Sequence, residues 1–288
     1  MLVEKPELEL EVGARYKGQW LGDTLHGFGI LTRADGSRFE GTFRGGRANG
    51  LGKFVASNGS TYIGQWQEDR AHGAGKYVHT GGNTYEGQWA FDEKCGHGKE
   101  TWEEGSQYEG DFLDGTKHGS GIYTCRTGAL VYEGQFHSDQ MHGEGSYNFK
   151  DGRTFNGQWY LGLMHGFGTM IWPDRSQYVG SFSRSYRDGE GEFRWPDGRT
   201  YKGRWKEGKQ DGPGVLIESS GLKKDGQWRN GQEVPEAETS EAMKNVAKDR
   251  GVVALGENTK EADTRVEAGT PAASDAGTEM VETTSVPP

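Results

Sequence analysis

The chain has 288 residues, of which only 32% are hydrophobic, yet it contains 49 glycines, 9 Trp, 12 Tyr and 12 Phe. This composition excludes collagen, since Pro is only 8 and no Gly-X-Y period is present, and no apolar run approaches the roughly 18–20 residues of a membrane-spanning helix. The net charge of −10 argues against binding to nucleic acid. Two cysteines, Cys95 and Cys125, cannot form a disulfide scaffold, and the N-terminus does not resemble a secretory signal, so an intracellular, reducing compartment is expected.

The first predicted element is a short strand that recurs along the chain with a period of 23 residues. It reads aromatic-x-Gly-x-aromatic and begins at Tyr16, Phe39, Tyr62, Tyr85, Tyr108, Tyr132, Phe155, Tyr178 and Tyr201. It closes on Trp20, Phe43, Trp66, Trp89, Phe112, Phe136, Trp159, Phe182 and Trp205. The interval is constant except for 24 residues between Tyr108 and Tyr132, which identifies a repeat protein.

The marked residues of this strand alternate with polar ones, as expected for a β-strand with one solvated face. In the first repeat, Lys17 and Gln19 are predicted to lie on the face opposite Tyr16 and Trp20. The glycine between the two rings leaves room for a bulky group. We expect an aromatic ring from the adjacent strand or repeat to lie over it.

A turn and a second strand complete each unit. Three residues after each closing aromatic stands Asp, Gly or Ser, as at Asp69 and Gly208, and such residues tolerate left-handed backbone or bond to local backbone. A small polar residue and Gly-x-Gly then precede the second strand. The second turn often reads Asn-Gly or Asp-Gly, as at Asn58-Gly59 and Asp151-Gly152, which is a strong hairpin signal.

These elements predict an all-β fold, an elongated and twisted antiparallel sheet of stacked β-hairpins with about 18 or 19 strands. The array is expected over residues 14–233, between an N-terminal extension (1–13) and an acidic tail (234–288). The extra residue in the repeat that opens at Tyr108 falls after Gly121. It predicts a longer second turn or a β-bulge.

The repeat unit matches a known pattern. The segments Tyr85-Glu86-Gly87-Gln88-Trp89 and Met141-His142-Gly143-Glu144-Gly145 closely resemble the membrane occupation and recognition nexus (MORN) repeat. The resemblance covers nine full units and a tenth opening, Lys224-Asp225-Gly226-Gln227-Trp228, whose polar first residue suits a capping repeat. Residues that replace the family's usual histidine are Asn49, Cys95, Asp188 and Asp211.

The resemblance implies a protein that holds others together. MORN arrays occur in axonemal proteins such as radial spoke heads and in cytoskeletal scaffolds at membranes. They also occur on plant phosphatidylinositol phosphate kinases and ahead of a lysine methyltransferase domain, but the roughly 55 residues after this array are too few for either enzyme. We therefore expect a non-enzymatic scaffold or adaptor in a cytoskeletal, axonemal or membrane-associated assembly. Its expected location is the cytoplasm or cytoskeleton, including a ciliary or flagellar axoneme or the cell cortex.

The tail has a different composition from the array. Residues 234–288 hold 11 acidic and 5 basic residues and no Phe, Trp or Tyr. Disorder is expected because such a segment buries too little apolar surface to offset the entropy of ordering. The alternative is a short helix from Glu236 to Arg250 that docks against the array through Met243 and Val246.

Five histidines recur at one repeat position, namely His26, His72, His118, His142 and His165. Equivalent residues of consecutive repeats are expected two strands apart, about 9–10 Å, whereas zinc ligands must converge to about 2 Å from one ion. We expect these side chains to bond turn backbone instead. No phosphate-binding motif is present, so no catalytic residue, metal or cofactor is predicted.

The sequence leaves open an alternative function, a phosphoinositide-binding membrane or signalling adaptor. Outside the tail, the chain has 28 basic residues (33 less 5) and 32 acidic residues (43 less 11), a poor balance for anionic lipid unless the charges segregate. A basic cluster lies near the C-terminal end of the array. Its candidate lipid-binding residues are Arg199, Lys202, Arg204, Lys206, Lys209, Lys223 and Lys224.

The leading candidate for protein binding is the aromatic face, predicted to be concave, or the sheet edge. Exposed rings in a groove are common binding hot spots, and an extended peptide or a helix is the expected ligand. The candidate residues are Tyr62, Trp66, Tyr85, Trp89, Tyr108 and Phe112. The same rings are also expected to hold the array together. Unpaired strands at the array ends predict self-association.

Overall fold

The chain folds into one antiparallel sheet. The computed structural model describes residues 1–10 and 13–235 and places 21 strands there. The strands are β1 (Val3–Glu9), β2 (Arg15–Leu21), β3 (Thr24–Thr32), β4 (Arg38–Arg44), β5 (Arg47–Val55), β6 (Thr61–Gln67), β7 (Arg70–Val78), β8 (Thr84–Ala90), β9 (Glu93–Thr101), β10 (Gln107–Leu113), β11 (Thr116–Thr124), β12 (Leu130–His137), β13 (Gln140–Asn148), β14 (Thr154–Tyr160), β15 (Leu163–Ile171), β16 (Gln177–Ser183), β17 (Tyr186–Arg194), β18 (Thr200–Lys206), β19 (Lys209–Ile217), β20 (Lys223–Arg229) and β21 (Gln232–Glu233).

Each strand pairs with the next in sequence, so the sheet is an uninterrupted meander. Strands β2 to β20 are the predicted hairpins, and the all-β prediction is confirmed. Two strands were not foreseen: β1 pairs with β2, with a register shift between Lys5 and Leu8, and β21 pairs only with Trp228 and Arg229. The tail predicted to be disordered lies outside the described residues from 236 onward, and so does the alternative helix from Glu236 to Arg250.

A ladder of aromatic rings forms the core along one face of the sheet. Each opening aromatic packs edge-on against the closing aromatic of its own strand and against that of the next repeat. Tyr85, for example, lies 5.0 Å from Trp89 and 5.0 Å from Phe112, with interplanar angles of 90° and 85°. These contacts run without a break from Trp20 to Trp228. Because each repeat buries its rings against the next, the core is continuous through the array.

The glycines of the two strands in a repeat pair with each other beneath this ladder. Gly110 of β10 faces Gly121 of β11, and a Cβ atom on Gly110 would lie 2.5 Å from the Cα atom of Gly121. The Tyr108 ring lies over both glycines, and its hydroxyl donates to the carbonyl of Asp111 at 3.0 Å. The covering ring therefore comes from the same strand as the first glycine. The prediction of a ring from the adjacent strand or repeat was wrong at this point.

The second strand of each full repeat contains a β-bulge. Gly110 and Phe112 pair with Gly121 and Lys117, so one residue, Asp111, faces three residues of β11. The Asp111 carboxylate accepts a hydrogen bond from the Ser120 amide at 3.0 Å. In four other repeats a glutamine amide oxygen caps the bulge in the same way. The polar residue just before the closing aromatic, Asp111 in this repeat, therefore faces outward and also caps the bulge.

The extra residue after Gly121 forms a β-bulge. Tyr123 pairs with Tyr132 and Thr124 with Leu130, which leaves Val131 unpaired on β12. The second turn itself has the same closure as in other repeats, with a 3.0 Å bond from the Cys125 amide to the Ala129 carbonyl. Of the two predicted alternatives, the structure contains the bulge.

The first-turn residues connect each repeat to the one before it. Asp69, Asp92 and Asp139 have positive φ angles of 68°, 76° and 67°, as predicted for turn residues. Their carboxylates do not bond local backbone. They accept from amides of the preceding repeat, Ala48 at 2.7 Å, Ala71 at 2.7 Å and Lys117 at 3.0 Å. The turn residue is therefore a staple between repeats.

Candidate functional site

The predicted groove residues belong to the aromatic ladder. Five of the six are buried, with exposed fractions of 5% for Tyr62, 1% for Tyr85, 4% for Trp89, 0% for Tyr108 and 4% for Phe112. Trp66 is half-buried, and its indole donates to the Gly52 carbonyl at 3.2 Å. Burial raises the pKa of the Tyr62, Tyr85 and Tyr108 hydroxyls well above their ordinary range. These rings therefore have little surface left for a partner.

A second row of aromatic side chains lies on the same face and is only half-buried. Some of its members pair across the hairpin with an opening aromatic, as Tyr123 pairs with Tyr108. Others lie two residues further on, where the second turn begins. The row consists of Tyr77, Trp102, Tyr123, Tyr147, Phe149, Trp172, Phe193 and Trp195, all packed against the buried ladder. We call this row the outer aromatic row.

Sequence reasoning missed the turn members of the outer aromatic row. Trp102, Phe149, Trp172 and Trp195 share one register of the 23-residue period, and that register is the signal that identifies them. The equivalent positions in the first three repeats hold Arg33, Ala56 and His79. The large rings at this position are thus confined to the middle and C-terminal part of the array.

Two buried lysines lie on this face, opposite the closing aromatics. Lys94 contacts Glu100, with 2.5 Å between Nζ and Oε1, and Lys117 contacts Asp139, with 2.8 Å between Nζ and Oδ1. The side chains of Lys94 and Lys117 are only 7% and 4% exposed. Burying a charge is costly unless it is paired, and in each case a carboxylate supplies the pairing.

The repeat unit has the sequence pattern of a known family. The sequence pattern described as the MORN repeat matches ten consecutive segments: 16–38, 39–61, 62–84, 85–107, 108–130, 132–152, 155–177, 178–198, 201–222 and 225–234. The chain belongs to the MORN repeat family. No curated protein matches the chain.

Solved structures share only a distant likeness with this MORN array. The TCP10 domain of CPAP from Danio rerio has 11% identity and a TM-score of 0.39, over 77% of this chain and 99% of that domain. The SAS-4 (dCPAP) TCP domain of Drosophila melanogaster, in complex with a proline-rich motif of Ana2 (dSTIL), has 14% identity and a TM-score of 0.26, over 70% and 90% of the two chains.

The candidate lipid-binding residues do not form one surface. Lys206 and Lys209 flank the first turn between β18 and β19. Arg199 and Lys223 lie beside second turns, at the opposite ends of the strands. The others lie within β18 and β20. Four of the seven are in ion pairs: Arg199 with Asp197 at 2.8 Å, Lys202 with Glu192 at 2.8 Å, Arg204 with Glu190 at 3.8 Å and Lys224 with Glu233 at 2.7 Å. The charges that a lipid headgroup would meet are therefore divided and partly neutralised.

The repeat position that holds His26, His72, His118, His142 and His165 is called the histidine column. Members of this column contact other rings near the first turns. His72 stacks on Phe91 with 4.9 Å between centroids, and His137 lies between His118 at 4.8 Å and His142 at 5.5 Å. The predicted bonds to turn backbone occur at the aspartates of the column, where Asp188 accepts from the Glu207 amide and Asp211 from the Asn230 amide, each at 3.2 Å. For His72, His118 and His142 that prediction was wrong, because each contacts a ring of the next repeat instead. The ring stands one residue after the closing aromatic at His137 and Tyr160 and two residues after it at Phe91.

In residues 1–10 and 13–235, no group of three or more His, Cys, Asp or Glu side chains is arranged to hold a metal ion. In the same part of the chain, no helix is long and apolar enough to cross a membrane. Cys95 and Cys125 are both half-buried free thiols, and burial raises the pKa of Cys95.

Proposed function

We propose that the MORN array is a non-enzymatic scaffold or adaptor that docks an extended segment or a helix of a partner protein on its aromatic face. The observation that carries the proposal is the outer aromatic row. Its rings pack against the ladder without being fully buried in it, and they lie half-exposed on the same face of the sheet. Aromatic side chains with this partial exposure are typical protein-binding hot spots.

The proposal extends to the setting of the protein. A long, rigid surface with repeated rings suits a structural part of a cytoskeletal, axonemal or membrane-associated assembly inside the cell, with no reaction catalysed by the array. Self-association through the array ends remains a second prediction. At the C-terminal end, β21 pairs with Trp228 and Arg229 of β20, and the Val234 amide donates to the Gln227 carbonyl at 2.7 Å. Within the described residues no strand pairs with the rest of that edge.

The test uses proximity labelling in the native cell with the full-length chain. A Trp172→Ala and Trp195→Ala double variant removes two rings of the outer aromatic row, and we expect it to lose a defined set of labelled proteins. The matched control is Phe167→Ala, which removes a 59% exposed ring from the opposite face of the neighbouring β15. Thermal unfolding of all variants shows whether the fold is intact. An unchanged set of proteins with the double variant would contradict docking on this face.

The same variants separate the alternative function. If the protein is a phosphoinositide-binding adaptor, the Trp172→Ala and Trp195→Ala double variant should still sediment with vesicles that contain phosphoinositides. A variant with Lys206 and Lys209 changed to Gln should not. Both lysines are exposed and lie at one first turn. Absence of vesicle binding at moderate salt would remove this alternative.

A further inference from the structure

One position of the repeat places a side chain beside the ladder, opposite the closing aromatic. In successive repeats it is occupied by Leu25, Ala48, Ala71, Lys94, Lys117, Met141, Met164, Arg187 and Gln210. Three of these residues, Lys94, Lys117 and Arg187, are cations that lie beside the aromatic ladder. Their environments differ in one respect, which is the presence of a carboxylate.

Lys94 and Lys117 take their carboxylates from two different repeat positions. Glu100, the partner of Lys94, stands six residues after the cation on the same strand. Asp139, the partner of Lys117, is the first-turn staple of the next repeat, and its amide also donates to the Lys117 carbonyl at 3.0 Å. The fold thus offers two places from which a buried cation can be neutralised.

Arg187 has no carboxylate at either place. Six residues further on stands Phe193, and the equivalent first-turn residue is Gly208, whose amide donates to the Arg187 carbonyl at 2.9 Å. No ion pair involves Arg187 in residues 1–10 and 13–235. The only hydrogen bond of its guanidinium within those residues runs from Nη2 to the Gly208 carbonyl at 2.6 Å. The other guanidinium nitrogens form no hydrogen bond in the same part of the chain, and none of them is a fully buried atom without a partner.

Aromatic rings surround this guanidinium. Its central carbon lies 4.3 Å from the Trp205 ring centroid and 5.4 to 5.8 Å from the rings of Phe193, Trp172 and Tyr178. Stacking of this kind stabilises the cation and fixes the plane of the guanidinium. The removal of water that accompanies burial also lowers the pKa of Arg187 from its ordinary value.

We propose that Arg187 is the anion-recognition position of the docking face and receives the carboxylate of an aspartate or glutamate in the bound partner segment. The proposal rests on the docking function proposed above. A planar, pre-oriented guanidinium with free donors matches a carboxylate in a bidentate arrangement. The half-buried Trp172 and Phe193 would pack against the apolar neighbours of the acidic residue.

A peptide suits this position better than a lipid headgroup. A bilayer surface is attracted by several free cations that lie close together, whereas Lys94 and Lys117 on the same face are neutralised by Glu100 and Asp139. A guanidinium without an ion pair, surrounded by rings, suits a single acidic residue within an otherwise apolar segment.

The test is a selection from a phage-displayed library of random linear peptides on the full-length chain, followed by affinity measurements on the selected peptides. We expect an aspartate or glutamate at one fixed position among apolar or aromatic residues. Arg187→Gln should weaken binding by about tenfold or more. Arg194→Gln is the matched control, since Arg194 lies on the same strand but faces the other way, toward Glu192. It should leave the affinity unchanged.

A second variant tests the missing carboxylate directly. Gly208→Asp gives Arg187 the same first-turn aspartate that Asp139 provides for Lys117. The positive φ of 84° at Gly208 resembles the 67° of Asp139, and a Cβ atom there would lie 3.8 Å from its nearest neighbour, a carbon of Tyr186. We expect this variant to fold and to lose affinity for the acidic peptides as Arg187→Gln does.

The outcomes separate this inference from the docking function. Selected peptides that lose affinity with Trp172→Ala but have no acidic residue would overturn the role of Arg187 and leave the docking face intact. Selection of no peptide would overturn both. The acidic residue of a selected peptide can also be changed to its amide. If that change weakens binding to the native chain and to Arg187→Gln equally, the assignment is overturned. Binding to phosphoinositide vesicles that depends on Arg187 would overturn it as well.

Discussion

Lys117 and Asp139 form an ion pair across the boundary between two repeats, with 2.8 Å between the ammonium nitrogen and the carboxylate oxygen. The same carboxylate oxygen accepts the Lys117 amide at 3.0 Å, and the ammonium group lies over the Trp102 and Tyr108 rings at 5.4 and 5.8 Å. One aspartate thus neutralises a buried cation and ties two repeats together.

Loss of this aspartate is expected to destabilise the array. Asp139→Ala leaves the Lys117 ammonium buried without a counter-ion and should lower the free energy of unfolding by about 3–5 kcal/mol. Lys117→Met in the same chain removes the stranded charge and should recover a large part of the loss. Urea unfolding of the two single variants and the double variant measures the coupling. Purely additive effects would show that the two side chains do not interact.

The paired glycines should not accept a methyl group. Gly121→Ala places a Cβ atom against the Tyr108 ring, so we expect a loss of about 1–3 kcal/mol in the free energy of unfolding. Ser120→Ala is the matched control, because Ser120 is exposed on the neighbouring position and only its backbone amide forms a bond. Equal stability of the two variants in urea would mean that the ring does not need the glycine.

The tyrosine hydroxyls contribute less than the rings that carry them. Tyr108→Phe removes a 3.0 Å hydrogen bond to the Asp111 carbonyl and should cost about 1 kcal/mol. Phe39 and Phe155 already occupy the opening position in two repeats, so the fold accepts this ring. Calorimetry should show a small downward shift of the melting temperature with an unchanged far-ultraviolet spectrum. Complete unfolding of this variant would contradict the assignment.

The array is expected to lose stability at alkaline pH. Burial raises the pKa of Tyr201 to about 12, and burial also raises the pKa of the Tyr62, Tyr85, Tyr108, Tyr132 and Tyr178 hydroxyls. In the unfolded chain these hydroxyls release their protons near pH 10. The folded state therefore binds more protons than the unfolded state above that pH, and the free energy of unfolding falls as the pH rises. Tyrosinate absorbance followed during alkaline titration should rise cooperatively with loss of β structure. Independent titration of all tyrosines near pH 10 in a folded array would contradict this.

Several features could be predicted from the sequence because they repeat. The period of aromatic-x-Gly-x-aromatic predicts the strands, their order and the buried face, since side chains alternate along a strand and no single hairpin can bury its own rings. The asparagine-glycine and aspartate-glycine turns predict the hairpins for the same local reason. The extra residue before Tyr132 is also visible in the sequence, although only its position and not its conformation could be predicted.

The outer aromatic row, the staples and the unpaired cation depend on contacts between repeats. Trp172 and Arg187 are separated by a turn and a strand, and nothing in the local pattern shows that they meet. A counter-ion for Arg187 would have to stand at position 193 or 208, which hold Phe193 and Gly208. The relevance of these positions is visible only in three dimensions, where the equivalent positions Glu100 and Asp139 pair with Lys94 and Lys117. The sequence alone determined the repeated hairpin and its core, because those follow from alternation and turn chemistry. Only the tertiary structure decided which side chains remain accessible and which charge is left uncompensated, because burial and pairing are set by neighbouring repeats.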